Sequence, residues 1–283
     1  LDHLGLTSPL VISGTLMLPL MLIVNKLFGS NVRHVLGIIK RDMKSWFIWS
    51  QVCFVLFYVP LCWAVNYLPG WLISATWQLT IIFGVLTTPL VRVKTQQSGY
   101  VRLKIPTKAI PWMVIILVGV FLTVASYITH LKHIAPLLFA IIAIMLAAVA
   151  YPLGNRQIMA TTDGTVTASE KVLAMLICSY PTWLIIATLS YTQVGLPSAP
   201  QLLNTFIVAL CSGVIATVLF FGATQLAVHD MKSLAAVEAT QAMEVIFSVL
   251  LSLLFLGHAL PTPAQLAGLC LMVFGIIMLS IRE

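Results

Sequence analysis

Two carboxylates stand inside an otherwise apolar stretch of this chain. Glu244 lies about 11 residues into the run 233–256, or roughly 16 Å along a helix. That depth is close to the middle of a ~30 Å hydrocarbon layer. A carboxylate there costs at least about 2.5 kcal/mol unless it is paired, hydrated or protonated. Exchange between those states is the chemistry of a proton or cation site on a transport path. Glu238 lies six residues earlier, about 120° away around a helix, with Gln241 between them. The three join Ser248 in one broad polar arc. A purely structural Glu244, hydrogen-bonded to a neighbouring helix, is the competing reading.

The surrounding string occurs twice. Residues 75–86 (ATWQLTIIFGVL) read against 239–250 (ATQAMEVIFSVL), about 164 residues apart. Ala-Thr opens both copies and Ile-Phe-x-Val-Leu closes both. Only the polar centre differs, so Thr80 is the counterpart of Glu244 and Trp77 that of Gln241. Trp77, Gln78 and Thr80 are therefore expected in the same pocket, Trp77 offering an aromatic face to a cationic or amphipathic substrate. In 46–66, Gln51, Val55, Tyr58, Cys62 and Asn66 share a helical face, and Tyr58 is the expected cavity-lining residue. Tyr180, Pro181 and Trp183 suggest a broken or kinked helix.

The elements that position these residues follow from composition. The chain is 60% hydrophobic and 8% charged, with mean hydropathy +1.04. Soluble chains carry about 25% charged residues, so an integral membrane protein is expected. Runs of about 20 apolar residues fall near 8–28, 46–66, 71–90, 110–129, 134–153, 172–192, 203–226, 233–256 and 263–281.

The net charge of +7 sits in short connectors, which marks topology and excludes nucleic acid as partner. Arg33, Lys40, Arg41 and Lys44, then Arg92, Lys94, Arg102, Lys104 and Lys108, place two connectors in the cytoplasm. The C-terminus is then cytoplasmic as well. Alternation makes the two repeat copies cross in opposite directions, as an inverted repeat does. Copies five spans apart imply five-helix units, one over 1–133 and one over 134–283. Ten helices are then expected, the first of them missing before Leu1. Segment 29–45 interleaves Val32, Val35, Leu36, Ile38 and Ile39 with its cations. It reads either as an interfacial helix on the inner leaflet or as a solvated loop.

No enzyme is expected. The five cysteines lie in apolar runs without metal spacing, and His130-x-x-His133 lacks further ligands. No phosphate-binding loop, HExxH or nucleophile elbow occurs. No cofactor or metal is expected; the partners are a small-molecule substrate, the bilayer and protons. Ala209 with Gly213, and Gly268 with Gly275, are candidate helix contacts.

The last 70 residues carry a family likeness: Gly222-Ala223-Thr224-Gln225-Leu226-Ala227, Ser233-Leu234-Ala235-Ala236, Ser248 to Gly257, and Gln265-Leu266-Ala267-Gly268. This run resembles the C-terminal half of EamA-type transporters of the drug/metabolite transporter superfamily. His258 stands where those proteins commonly have Glu. Leu56-Phe57-Tyr58, Tyr67-Leu68-Pro69 and Trp77-Gln78-Leu79 resemble the third and fourth helices of the same domain. Residues 237–245 look like the multidrug resistance efflux branch. The resemblance implies an all-α, ten-helix inverted-repeat bundle in the bacterial inner membrane, exporting drugs or metabolites by alternating access. A proton-independent metabolite or amino-acid uniporter, and a non-transporting scaffold, remain the alternatives.

Overall fold

A computed structural model of the chain describes residues 8–27, 31–95, 99–102, 105–128, 134–162, 166–227, 237, 240–255 and 260–282. Seven helices are long and apolar enough to cross a membrane, and two shorter apolar helices, Gly14–Lys26 and Gln241–Phe255, occupy two further expected runs. All nine apolar runs thus contain helix. In lipid this is the economical outcome, because a helix satisfies its backbone polar groups internally.

In chain order the helices are α1 (Ser8–Leu27), α2 (Val32–Arg41), α3 (Met43–Ala64), α4 (Gly70–Trp77), α5 (Leu79–Thr87), α6 (Ile110–Ile128), α7 (Ala135–Thr161), α8 (Ala168–Val194), α9 (Ala199–Ala227), α10 (Gln241–Phe255) and α11 (Pro263–Arg282). One departure from an all-helical chain is a hairpin of β1 (Arg92–Thr95) and β2 (Gly99–Arg102), antiparallel with Val93 opposite Val101. It occupies the basic connector after α5.

The helix starts have local causes. Thr167 and Glu170 form a reciprocal capping box on α8, and Ser198 with Gln201 form one on α9. On α11, the Thr262 N–H donates to Gln265 Oε1 at 2.8 Å and the Gln265 N–H donates to Thr262 Oγ1 at 3.3 Å. Each box satisfies two amides that no helical carbonyl reaches. Asp42 separates α2 from α3 and accepts the Ser45 N–H at 3.2 Å as an N-cap.

Two spans contain π-helical turns, Gln51–Val55 in α3 and Ala209–Ala216 in α9. Of the two readings at Pro181, a broken or a kinked helix, the break is absent, and α8 runs through the proline. A proline removes one backbone donor and crowds the preceding turn. Here Gln51 Nε2, from α3, donates to the Cys178 carbonyl in that turn at 3.0 Å.

The chain forms two compact units, residues 1–63 with 153–226, and 64–152 with 227–283. In the first, α8 packs on α1, α2 and α3, and α1 also packs on α9. Its close approaches are made by glycine: a Cβ on Gly213 would lie 2.7 Å from Met17 Cγ, and one on Gly154 would lie 2.8 Å from the Cys53 amide nitrogen. In the second unit, α6 packs along α11, α10 packs on α4, and α10 also touches α11. A Cβ on Gly275 would lie 2.8 Å from Ile116 Cγ1. The small residues expected at helix contacts therefore lie at them.

Candidate functional site

The polar centre of the second unit is built on Ser74, in α4. Its hydroxyl hydrogen-bonds the Glu244 carboxylate on α10, and its backbone carbonyl accepts Gln78 Nε2 at 3.2 Å. One residue of the first repeat copy's helix therefore holds both the carboxylate and the amide that the sequence singles out. Glu244 is exposed on α10, whereas Ser74 is half-buried.

Gln78 stands at a discontinuity. Helix α4 ends at Trp77 and α5 begins at Leu79. The Gln78 N–H turns back to the Ala75 carbonyl at 3.3 Å, and its own carbonyl receives the Ile81 N–H at 3.1 Å. These three-residue hydrogen bonds tighten the helix locally. The Gln78 side chain is fully buried, and among the described residues no partner reaches its Oε1. An unpaired buried acceptor is costly, and each one calls for a physical cause such as a bound water, an ion or a functional role. Gln241, one turn before Glu244, is half-buried, and its Oε1 likewise lacks a partner among the described residues.

Trp77 is buried and meets Tyr151 of α7 edge-on, with ring centroids 5.8 Å apart and planes at 63°. Thr80 is buried one turn beyond the discontinuity. The structure thus brings Glu244 together with the α4 turn that precedes Gln78. Gln241 lies on the same face of α10 as Glu244, by its spacing of three. Glu238 lies outside the described residues.

Tyr58 belongs to the other compact unit. Its ring meets Trp183 of α8 edge-on at 5.7 Å, and its hydroxyl hydrogen-bonds Cys62. Gln51 and Tyr58 thus both engage α8, which agrees with the polar face read from the sequence. Trp183 is nearly fully buried, a Cβ on Gly14 of α1 would collide with its ring, and among the described residues its indole N–H has no partner.

Sequence reasoning missed Ser74 and Tyr151. Ser74 directly precedes the Ala-Thr that opens the first repeat copy, and a polar residue there was the available signal. Tyr151 gave none, because its pairing with Trp77 crosses from one helix to another with no periodicity to reveal it.

Helices long and apolar enough to span a membrane, with a buried polar residue at Gln78 and a carboxylate at Glu244, define a multi-pass helical membrane protein. The EmrE family model, described as "Putative multidrug resistance efflux transporter", matches residues 12–283. The chain belongs to this family of membrane transporters, within the drug/metabolite transporter superfamily. It is 43% identical over 236 residues to "Uncharacterized protein YjlA" of Bacillus subtilis (strain 168), covering 82% of this chain and 72% of that protein. It is also 40% identical over 186 residues to an "Uncharacterized 42.1 kDa protein in intracellular alkaline protease 3'region" of Shouchella clausii. That match covers 66% of this chain and 48% of the relative, so the aligned part spans about half of that protein.

Proposed function

We propose that this protein is a secondary transporter of the bacterial cell membrane, exporting small organic molecules by alternating access, with Glu244 as its proton site. The observation that carries the reading is the Ser74–Glu244 hydrogen bond beside the helix interruption at Gln78. Transporter sites are commonly formed where interrupted helices leave polar groups for a ligand. Glu244, Gln241, Gln78, Trp77 and Thr80 form the substrate and proton region of the second unit. Tyr58, in the first unit, is a separate candidate substrate contact, and Glu238 is the candidate to assist Glu244.

A five-plus-five inverted repeat, with a cytoplasmic C-terminus, is part of this reading. The helix packing supports it. Shifting by five spans exchanges α1 with α8, α3 with α9, α4 and α5 with α10, and α6 with α11. Under that exchange the contact of α1 with α9 becomes that of α8 with α3, and the contact of α4 with α6 becomes that of α10 with α11. The pairs α1–α8, α4–α10 and α6–α11 map onto themselves. The two π-helical spans, α3 and α9, are also exchanged.

The test is transport in proteoliposomes under an imposed pH gradient, with candidate organic substrates. Glu244→Gln removes the exchangeable proton while preserving size, so it should abolish pH-driven accumulation in a protein that still folds. Unchanged coupling in that variant removes Glu244 from the mechanism, and transport indifferent to the gradient in the parent protein establishes a uniporter.

A further inference from the structure

Helix α2 is amphipathic in three strips. Val35 and Ile39 are buried, and α2 packs on α8. On one side of that strip, His34 Nδ1 meets Glu170 Oε1 at 2.9 Å. On the other side, Val32 and Leu36 are exposed apolar residues, followed past the end of the helix by Met43. The remaining arc carries Arg33, Lys40 and Arg41, all exposed. Gly37 lies within this arc, and a Cβ built there would meet nothing within 4 Å.

Among the described residues, none of Arg33, Lys40, Arg41 and Lys44 forms an ion pair. The nearest acid in sequence, Asp42, is engaged with the Ser45 amide. Glu170 is turned to His34 and Thr167. A short helix pinned along one strip, with an apolar strip and a cationic arc left open, has the anatomy of a helix lying in a membrane interface. Phe47 and Ile48, just beyond this helix in the chain, are exposed apolar residues of α3, itself a candidate membrane span.

We propose that α2 is a docking surface for anionic phospholipid, with the headgroup phosphate against Arg33, Lys40 and Arg41 and acyl chain along Val32, Leu36 and Met43. Charge complementarity selects the occupant: cationic segments beside a span attract anionic leaflet lipid. The open space at Gly37 lets a headgroup approach the helix backbone. This surface does not depend on the transport mechanism, because none of its residues belongs to the Glu244 region.

The test uses the full chain reconstituted in phosphatidylcholine containing a minority of phosphatidylglycerol. The protein is then extracted in mild neutral detergent, and the co-purifying lipids are quantified by mass spectrometry. The parent protein should retain phosphatidylglycerol above its share of the membrane. Arg33→Gln/Lys40→Gln/Arg41→Gln should lower that enrichment by about fivefold or more, the scale of even one cation near a charged surface. Each single substitution should lower it in part, which keeps the test open if the triple variant does not fold. Arg33→Lys/Arg41→Lys should keep the enrichment, and Lys94→Gln/Arg102→Gln in the hairpin should leave it unchanged. Undiminished enrichment in folded triple and single variants overturns the proposal. So does displacement of the lipid by inorganic phosphate, which would mark a soluble-anion site.

Discussion

Gly119 of α6 and Gly268 of α11 face each other closely: a Cβ on either would lie 2.7 Å from the other's carbonyl oxygen. Thr123, one turn from Gly119, lies closer still to the added carbon on Gly268 and donates to the Gly119 carbonyl at 2.8 Å. Without a hydrophobic force between helices in lipid, such backbone approach is what packing energy is made of. Gly268→Leu and Gly119→Val should therefore destabilise the protein by about 1–3 kcal/mol, as overpacked cores do. Thermal unfolding in detergent reads this. Gly70→Ala serves as the control, because nothing lies within 4 Å of a Cβ there.

Ser74 should tune the site. Ser74→Ala removes the hydroxyl donor to Glu244 while leaving the backbone carbonyl that holds Gln78. Coupling to a pH gradient should weaken or shift along the pH axis, short of the complete loss expected for Glu244→Gln. A pH profile of proteoliposome uptake distinguishes the two. A profile identical to that of the parent protein would separate Ser74 from the proton step.

Aromatic packing around the interruption predicts an asymmetry between two substitutions. Trp77→Phe keeps an edge-on partner for Tyr151, whereas Trp77→Ala removes it and opens a cavity costing about 3–5 kcal/mol. Substrate affinity, measured by ligand-induced thermal stabilisation, should survive the first change better than the second. Equal loss in both would point to a role for the indole N–H.

Cysteine chemistry offers an independent map. Cys53, Cys62 and Cys178 are buried, and Cys211 and Cys270 are exposed. In a background lacking Cys211 and Cys270, a cysteine placed at Glu244 should react with a small maleimide. One placed at Thr80, which is 4% exposed, should react far more slowly. Rapid labelling at both positions would show that the α5 turn opens to solvent.

The hydrogen bond between His34 and Glu170 predicts local rather than global effects. Glu170 also accepts the Thr167 N–H at 3.0 Å in the capping box, so His34→Ala should loosen α2 while leaving the start of α8 capped. Glu170→Ala should do both, at a cost of about 0.5–2 kcal/mol for the lost cap. Hydrogen exchange across 33–41 and 168–172 separates the outcomes.

The spans were legible because a membrane helix is specified by length and hydropathy alone, and both are visible in a string of residues. Interruptions were not. Pro181 suggested a broken or kinked helix, and α8 runs through it, with Gln51 donating to the turn before it. Gln78 carries no proline or glycine to announce the tightened turn between α4 and α5. The hairpin of β1 and β2 was legible too: Val91-Arg92-Val93-Lys94 and Val101-Arg102-Leu103-Lys104 alternate apolar and basic residues, a strand signal that the use of these cations as topology markers passed over. Glu244 was found by its cost in lipid, whereas Ser74 and Tyr151 matter through partners far away in sequence.

Each compact unit is assembled from two separated stretches of chain, and this orders events during synthesis. Translation delivers α6 long before α11, and α4 long before α10. The glycine face of α6 must therefore wait in the bilayer for its partner until α11 leaves the ribosome. A nascent chain halted after α9 holds the first unit's helices together with half of the second. Such a chain presents an open seam at Gly119 to whatever insertion factor or lipid stands beside it.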